Sequence, residues 1–210
     1  MEKEFNVSQK YLDKLKVLVQ KHQGKTCDIL FAGDSWIEYW TSEDLIEGKP
    51  AFYEEVSSYG INALNVGIGG TTFADWEYFI QDLIVPYNPK KIFISLGGND
   101  LTQGQTVDEV LTHFQNFASK VHTVLPNVKI YVSALCHTPA CVAFKDLENA
   151  VNVGFYEFVK NHDYVIILPL DKAFKTCGIP IGDLVVGDKI HLNRKGYDVW
   201  GKTAITKLIK

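Results

Sequence analysis

The chain lacks the features that mark several large protein classes. Its 210 residues contain no run of basic residues and carry a net charge of −4, so we expect no nucleic-acid partner. No segment approaches the ~18 consecutive apolar residues that a membrane-spanning helix needs. The first residues contain no apolar signal region with a small-residue cleavage site. These absences predict a soluble, cytoplasmic protein without a membrane span.

Cysteine is scarce, and none of the four cysteines belongs to a Cys-x-x-Cys pair. We therefore expect no disulfide framework, and we expect reduced, mostly buried thiols. Cys136 and Cys141 enclose His137, but a second ligand pair at metal spacing is missing, so we predict no metal site. We interpret this segment as a pocket-lining loop in which His137 is a weak candidate for substrate contact.

The composition and the hydrophobic pattern predict a layered α/β domain over residues 1–210. Hydrophobic residues make up 46% of the chain and charged residues 22%, which predicts a substantial core. Five apolar segments are predicted as strands, at 28–32, 61–66, 91–96, 127–134 and 164–168. They alternate with amphipathic segments predicted as helices, at 7–22, 72–85, 107–124, 142–160 and 194–210. Segment 48–59 is predicted as a loop with a short helix, and segment 171–187 as a loop with helical turns. This alternation predicts a three-layer α/β/α fold around a five-stranded parallel, flavodoxin-like sheet.

The first predicted strand ends in Gly33-Asp34-Ser35-Trp36. The carboxyl edge of the sheet is where open α/β proteins bind ligands, so Ser35 is a candidate nucleophile. The tetrapeptide alone favours the plainer interpretation, a turn residue or helix N-cap. Trp36 is a weak candidate for lining a pocket, although core packing is the favoured interpretation for a large aromatic residue.

Two further strands also end in glycines. Segment 67–72 contains three glycines within four residues, a pattern that requires either φ > 0 or close approach to another group. It matches neither phosphate-loop nor dinucleotide-binding spacing, which leaves an anion-binding turn or a tight strand-to-helix turn. Segment 97–100 ends in Asn99 and Asp100. Asn99 is either an amide donor at the same sheet edge as Ser35 or an Asx-turn or N-cap residue.

Near the carboxyl terminus, Asp188 and His191 lie three residues apart. This spacing lets the carboxylate reach Nδ1 of the imidazole, which leaves Nε2 free to take a proton from a serine. The Gly-x-Ser-x-Gly signature of the α/β-hydrolases is absent. The acid and the base are also close in sequence here, so any serine hydrolase of this kind belongs to a different lineage.

Together these motifs resemble the SGNH, or GDSL, hydrolase family. All four family blocks are present in the family's order, at 33–35, 65–70, 97–100 and 188–191, and the resemblance spans residues 28 to 200. Thr71 stands where platelet-activating-factor acetylhydrolases of the family often have aspartate, so that subfamily's substrate is not carried over.

The resemblance implies a serine esterase that needs no metal or organic cofactor. It assigns Ser35 as the nucleophile, His191 as the general base and Asp188 as its partner, with an oxyanion hole made by Ser35, Gly70 and Asn99. The substrate expected is an ester of a short or carbohydrate-borne acyl group. Three alternatives remain open: a lysophospholipase or thioesterase of the same fold, a catalytically silent glycan-binding module, and a flavodoxin-like cofactor binder.

Overall fold

The computed structural model describes residues 7–42 and 51–210. Within them, one parallel sheet has the strand order β2-β1-β3-β4-β5. Its strands are β1 (Ile29–Gly33), β2 (Ala63–Asn65), β3 (Lys91–Ser95), β4 (Lys129–Ser133) and β5 (Val165–Leu168). This sheet confirms the five-stranded parallel α/β fold that the sequence predicts.

Helices flank the sheet on both sides. They are α1 (Gln9–His22), α2 (Ser35–Glu38), α3 (Ala51–Ser58), α4 (Phe73–Leu83), α5 (Gly98–Thr102), α6 (Val107–Val124), α7 (Lys145–Phe158), α8 (Leu170–Thr176) and α9 (Arg194–Leu208). The short helix predicted within 48–59 is confirmed as α3, and residues 48–50 of that segment lie outside the described part of the chain. The segment 171–187, predicted as a loop with helical turns, begins within helix α8.

Each face of the sheet has its own hydrophobic core, because side chains alternate along a strand. On β1, Leu30 packs into the core beneath α1, α4, α6 and α7, while Phe31 packs into the opposite core beneath α3, α8 and α9. Both side chains are fully buried. Burial on both faces explains why the strands are apolar throughout rather than alternating with polar residues.

The strand order places a topological switch point between β1 and β3. The chain passes from β1 to β2 on one side and then crosses to β3 on the other side of β1. At such a point the connections leave a crevice outside the carboxyl ends of the strands. The segments that follow β1 and β3 begin with Asp34 and Leu96 and therefore border this crevice. None of the described helices is long and apolar enough to cross a membrane.

Candidate active site

Ser35 is held at the switch point by a sharp turn out of β1. Gly33 has φ 141°, and a Cβ added there would lie 2.3 Å from the Ser95 carbonyl oxygen of β3, so this position requires glycine. Asp34 is the N-cap of α2, and its Oδ1 accepts a hydrogen bond from the Trp36 amide at 3.0 Å. Ser35 is therefore not the cap, and its hydroxyl is available for another role. As the first residue of α2, it also has an amide that no carbonyl of the helix can accept.

The Ser35 side chain meets His191 across 156 residues of sequence. Ser35 Oγ lies 2.8 Å from His191 Nε2, and His191 Nδ1 lies 2.6 Å from Asp188 Oδ2. The ring of Tyr39 lies against the imidazole with ring centroids 4.7 Å apart. The structure thus brings Ser35, His191 and Asp188 together in one hydrogen-bonded chain.

Asp188 is fixed by its own turn as well as by the imidazole. Its Oδ1 accepts hydrogen bonds from the amides of Ile190 at 2.8 Å and His191 at 3.0 Å. Partial burial by itself would raise the pKa of Asp188, but the hydrogen bonds from His191 and from these amides outweigh it and lower the pKa. An ionised carboxylate at this place holds the proton of the imidazole on Nδ1 and leaves Nε2 facing Ser35.

The glycine turn after β2 lies beside α2 and leaves one amide unused. Four other amides of this turn donate hydrogen bonds within the chain. The Gly67 and Gly69 amides donate to side chains, to Asn65 Oδ1 and Glu38 Oε2 respectively. The Ile68 and Thr71 amides donate to backbone carbonyls, those of Gly33 and Ile68 respectively. The Gly70 amide makes no hydrogen bond to any described residue. At Gly69 an added Cβ would lie 3.2 Å from Ser35 Cβ, so this turn packs directly against the serine.

Contacts from three other elements fix the Gly70 turn. The Gly70 carbonyl accepts a hydrogen bond from Tyr11 Oη of α1 at 2.7 Å and another from Gln103 Nε2 at 3.0 Å. Gly70 itself has φ 87°, a conformation that favours glycine. From α2, Glu38 holds the Gly69 amide, and Lys14 of α1 forms an ion pair with Glu38 at 2.6 Å.

Asn99 lies in α5 and faces the same crevice. Its Nδ2 donates to the Thr71 carbonyl at 3.1 Å and lies 3.4 Å from Asp34 Oδ2. Gly97 is the N-cap of this helix, so the sequence interpretation of Asn99 as an N-cap is wrong. Burial raises the pKa of the Asp34 carboxyl to about 7, with a smaller contribution in the same direction from the negative charge of Asp100.

A cavity of about 170 Å³ adjoins Ser35 and His191. Trp36 and Asn99 also line it, whereas Gly70 lies outside its lining. Trp36 packs edge-on against Trp200, with ring centroids 5.5 Å apart, so it serves the core as well as the cavity. His137 lies outside the lining too, with Nε2 3.0 Å from Asn149 Oδ1 and Nδ1 bonded to Glu148.

Sequence reasoning missed several residues that build this site. Tyr11 belongs to the predicted helix over 7–22, and nothing in that helix pattern indicates a chemical role. Its role comes from the hydrogen bond to Gly70, which lies 59 residues further along the chain. Asn65 had a sequence signal, a polar residue at the end of an apolar strand. Its Nδ2 donates to the Ile37 carbonyl at 2.7 Å and thereby joins the glycine turn to α2.

The described residues contain no cluster of three or more His, Cys, Asp or Glu side chains that could hold a metal ion. All four cysteines are free. Near Ser35, the carboxylate of Asp188 and the imidazole of His191 are hydrogen-bonded to each other.

Solved structures similar to this chain include three hydrolases. A lipase/acylhydrolase from Enterococcus faecalis shares 16% identity over 86% of this chain and 94% of its own, with a TM-score of 0.69. A family 3 carbohydrate esterase from Clostridium thermocellum shares 21% identity over 88% and 98%, with a TM-score of 0.67. An acetyl xylan esterase from Geobacillus stearothermophilus shares 14% identity over 88% and 95%, with a TM-score of 0.69. At these identities the likeness shows a shared fold.

Family membership comes from the sequence itself. No curated protein matches the chain. The model of the GDSL-like lipase/acylhydrolase family matches residues 31–199, a range that contains Ser35, Gly70, Asn99, Asp188 and His191. The chain therefore belongs to the GDSL-like lipase/acylhydrolase family and is a hydrolase.

Proposed function

We propose that this protein is a serine esterase that hydrolyses carboxylic esters of small acyl groups through an acyl-enzyme. The observation that carries the proposal is the hydrogen-bonded chain from Ser35 through His191 to Asp188, with distances of 2.8 and 2.6 Å, beside a cavity. A serine within hydrogen-bond reach of a base that is itself oriented by a third group is the arrangement that nucleophilic catalysis requires.

In the first half of the reaction Ser35 Oγ attacks the ester carbonyl carbon. His191 Nε2 accepts the hydroxyl proton as the new C–O bond forms, and the Asp188 carboxylate stabilises the resulting imidazolium. The imidazolium then gives this proton to the departing alcohol oxygen. The products of this half are the free alcohol and an acyl group bound to Ser35.

In the second half water replaces the alcohol. His191 takes a proton from the water, the hydroxide oxygen attacks the acyl carbon, and the proton returns to Ser35 Oγ as the carboxylic acid leaves. Both halves pass through a tetrahedral intermediate with a negatively charged oxygen. The Ser35 and Gly70 amides and Asn99 Nδ2 are the proposed donors to that oxygen, each contributing on the order of 3 kcal/mol. Asn99 Nδ2 lies a long 3.4 Å from Asp34 Oδ2, and in the proposed mechanism the charged oxygen of the substrate replaces this contact.

The cavity volume favours small acyl groups. A protein cavity of roughly 150 Å³ holds a molecule the size of benzene, so about 170 Å³ holds a group of roughly six heavy atoms. A long lipid chain would have to extend into solvent. The intact chain of Ser35, His191 and Asp188 also argues against a silent binding module, because a module without catalysis has no need of it.

The test is hydrolysis of p-nitrophenyl esters from acetate to palmitate, with Ser35→Ala alongside the wild type. We expect turnover to be highest at two to four carbons, to fall with chain length and to vanish in the variant. Ser57→Ala, an exposed serine on α3, is the matched control and should retain full activity. A maximum at long chains would replace the proposed substrate with a lysophospholipid or thioester. Equal turnover in Ser35→Ala would overturn the mechanism.

A further inference from the structure

The cavity beside Ser35 has a second group of polar residues that the proposed mechanism does not use. Ser133 at the end of β4, Thr138 in the following loop and Glu148 in α7 line it together with Ser35 and His191. Strands β1 and β4 are separated by β3, so the ends of these strands lie about 10 Å apart. The polar group therefore lies at the far side of the cavity from the nucleophile, with Leu96 among the residues between them.

Glu148 is a buried acid with one oxygen unused. Its residue is only 5% exposed, and its Oε2 is bonded to His137 Nδ1. The other oxygen, Oε1, makes no hydrogen bond to the described residues. Both ring nitrogens of His137 contact oxygen atoms, Glu148 Oε2 and Asn149 Oδ1. His137 thus occupies one oxygen of Glu148, and the other oxygen remains as an acceptor at the cavity.

Thr138 supplies a second unused group. The residue is 5% exposed, and its Oγ1 is buried without a hydrogen-bond partner in the part of the chain that the structure describes. Buried polar groups are nearly always hydrogen-bonded, since leaving one unpaired costs free energy. Glu148 and Thr138 both line the cavity, and each has one polar side-chain atom without a partner among the described residues, which indicates a site that a ligand completes.

We propose that Glu148 and Thr138 form a subsite for a hydroxyl group of the substrate, so that the enzyme prefers esters carrying a hydroxyl near the reacting carbonyl. The proposal rests on the proposed esterase function. A hydroxyl matches the subsite because it donates to the Glu148 oxygen and can pair with the Thr138 hydroxyl at the same time. An anionic group would be repelled by Glu148, and one oxygen of Glu148 is already bonded to His137, so a single neutral donor matches the oxygen that is left. A small hydroxylated group such as glycolyl also fits the cavity volume.

The experiment compares pairs of esters that differ chiefly in hydroxylation. Methyl 3-O-acetyl-xylopyranoside is paired with cyclohexyl acetate, which places the hydroxyls on the alcohol half. Ethyl glycolate is paired with ethyl propionate, which places one hydroxyl on the acyl half. Acid release in a pH-stat gives kcat/KM for each ester. We expect the wild type to favour the hydroxylated member of at least one pair by about tenfold or more.

Two variants weaken the subsite while conserving its shape. Glu148→Gln and Thr138→Val should each lower the preference ratio about five- to tenfold and leave kcat/KM for the plain ester within twofold. Glu157→Gln, on the exposed face of the same helix α7, is the control and should leave the ratio unchanged. Because Thr138→Val leaves the hydrogen bond between Glu148 and His137 in place, it tests the subsite even if Glu148→Gln misfolds.

The outcomes separate this proposal from the proposed function. A preference in the xyloside pair places the recognised hydroxyl on the alcohol, and a preference in the glycolate pair places it on the acyl group. Equal kcat/KM within both pairs, or variants that lower both members of a pair equally, would overturn the subsite while the esterase stands. If no ester is hydrolysed, the proposed function fails. Saturation-transfer NMR with methyl xylopyranoside then tests the subsite. Transfer of saturation from Ser35→Ala to the xyloside that is lost in Ser35→Ala/Thr138→Val supports the subsite. An absence of transfer from Ser35→Ala overturns it.

Discussion

The Tyr11 hydroxyl donates a 2.7 Å hydrogen bond to the carbonyl of Gly70, and this bond joins the first helix to the proposed oxyanion turn. Tyr11 lies outside residues 31–199, the range that the family model matches. A second residue of the same helix, Lys14, reaches the turn through Glu38. Helix α1 therefore does more than cover the sheet, since its contacts hold the two peptide groups on either side of the one that presents the Gly70 amide.

Removal of the Tyr11 hydroxyl should lower turnover without weakening binding. In Tyr11→Phe the ring still packs, but the Gly70 carbonyl keeps Gln103 as its remaining donor. We expect kcat for p-nitrophenyl acetate to fall about three- to tenfold, as for the loss of one hydrogen bond, with KM within twofold. Tyr78→Phe, an exposed tyrosine, is the matched control. An unchanged kcat would mean that the turn holds its shape without Tyr11.

Asp188→Asn should retain the fold and lose most of the activity. An amide has nearly the shape of the carboxylate, yet it cannot stabilise an imidazolium and it favours the wrong tautomer of His191. By analogy with serine proteases we expect kcat to fall by about 10³- to 10⁴-fold. Far-UV circular dichroism and the kinetics of p-nitrophenyl acetate hydrolysis measure the two properties. Asp183→Asn, an exposed acid in the preceding loop, should match the wild type. Activity above a tenth of wild type would remove Asp188 from the mechanism.

Asn99→Ala tests the oxyanion role of the side-chain amide. Loss of one such donor should reduce kcat by about 10²- to 10³-fold while KM changes little, because the donor acts chiefly on the charged intermediate. Asn116→Ala, on the exposed face of α6, controls for a general effect of the substitution. A rise in KM with kcat intact would instead assign Asn99 to ground-state binding.

Gly33→Ala should destabilise the protein as a whole. The added methyl group would lie 2.3 Å from the Ser95 carbonyl oxygen in the neighbouring strand, and φ of 141° adds strain. We expect the free energy of unfolding to fall by more than about 2 kcal/mol, measured by urea denaturation. Gly182→Ala, at an exposed site with no atom within 4 Å of the new Cβ, should change it by less than about 0.5 kcal/mol. Comparable stabilities of the two variants would contradict the close approach of β1 and β3 at this point.

Asp34 should make stability depend on pH. Its pKa is raised by burial to about 7 in the folded protein, against about 3.9 for an unperturbed aspartate. Between these values the folded chain keeps a proton that the unfolded chain has lost. Stability from this group is therefore full below pH 4 and is lost as the pH rises through 7.

In Asp34→Asn this contribution to the pH dependence is absent, while Oδ1 can still accept from the Trp36 amide. The free energy of unfolding of the variant relative to the wild type should therefore rise by about 3 kcal/mol between pH 4 and pH 8. Urea denaturation at both pH values measures the change. Asp108→Asn, in the first turn of α6, is the control. If the difference in unfolding free energy between variant and wild type stays constant with pH, the pKa of Asp34 in the folded protein lies in the ordinary range for aspartate.

Local patterns predicted most of the frame and part of the site. The apolar runs predicted all five strands, since strands buried on both faces are apolar throughout, and four of the five lie within their predicted bounds. β1 extends one residue further, to Gly33. The short helices α2 and α5 follow strand ends and carry too few residues for a periodic pattern. The segment of Cys136 and His137 was predicted to line a pocket, and Cys136 does so, whereas His137 turns toward Glu148.

By itself, the sequence determined the four motifs, their order and hence the family, because each motif is short and requires particular residues at a strand end. It also determined the Asp188–His191 contact, which needs only a turn of four residues. The tertiary structure decided which distant groups meet: Ser35 with His191, Tyr11 with Gly70, and Glu148 with the cavity. These contacts depend on the order of strands in the sheet and on helix packing, and no local pattern of residues encodes distances between segments that are far apart in the chain.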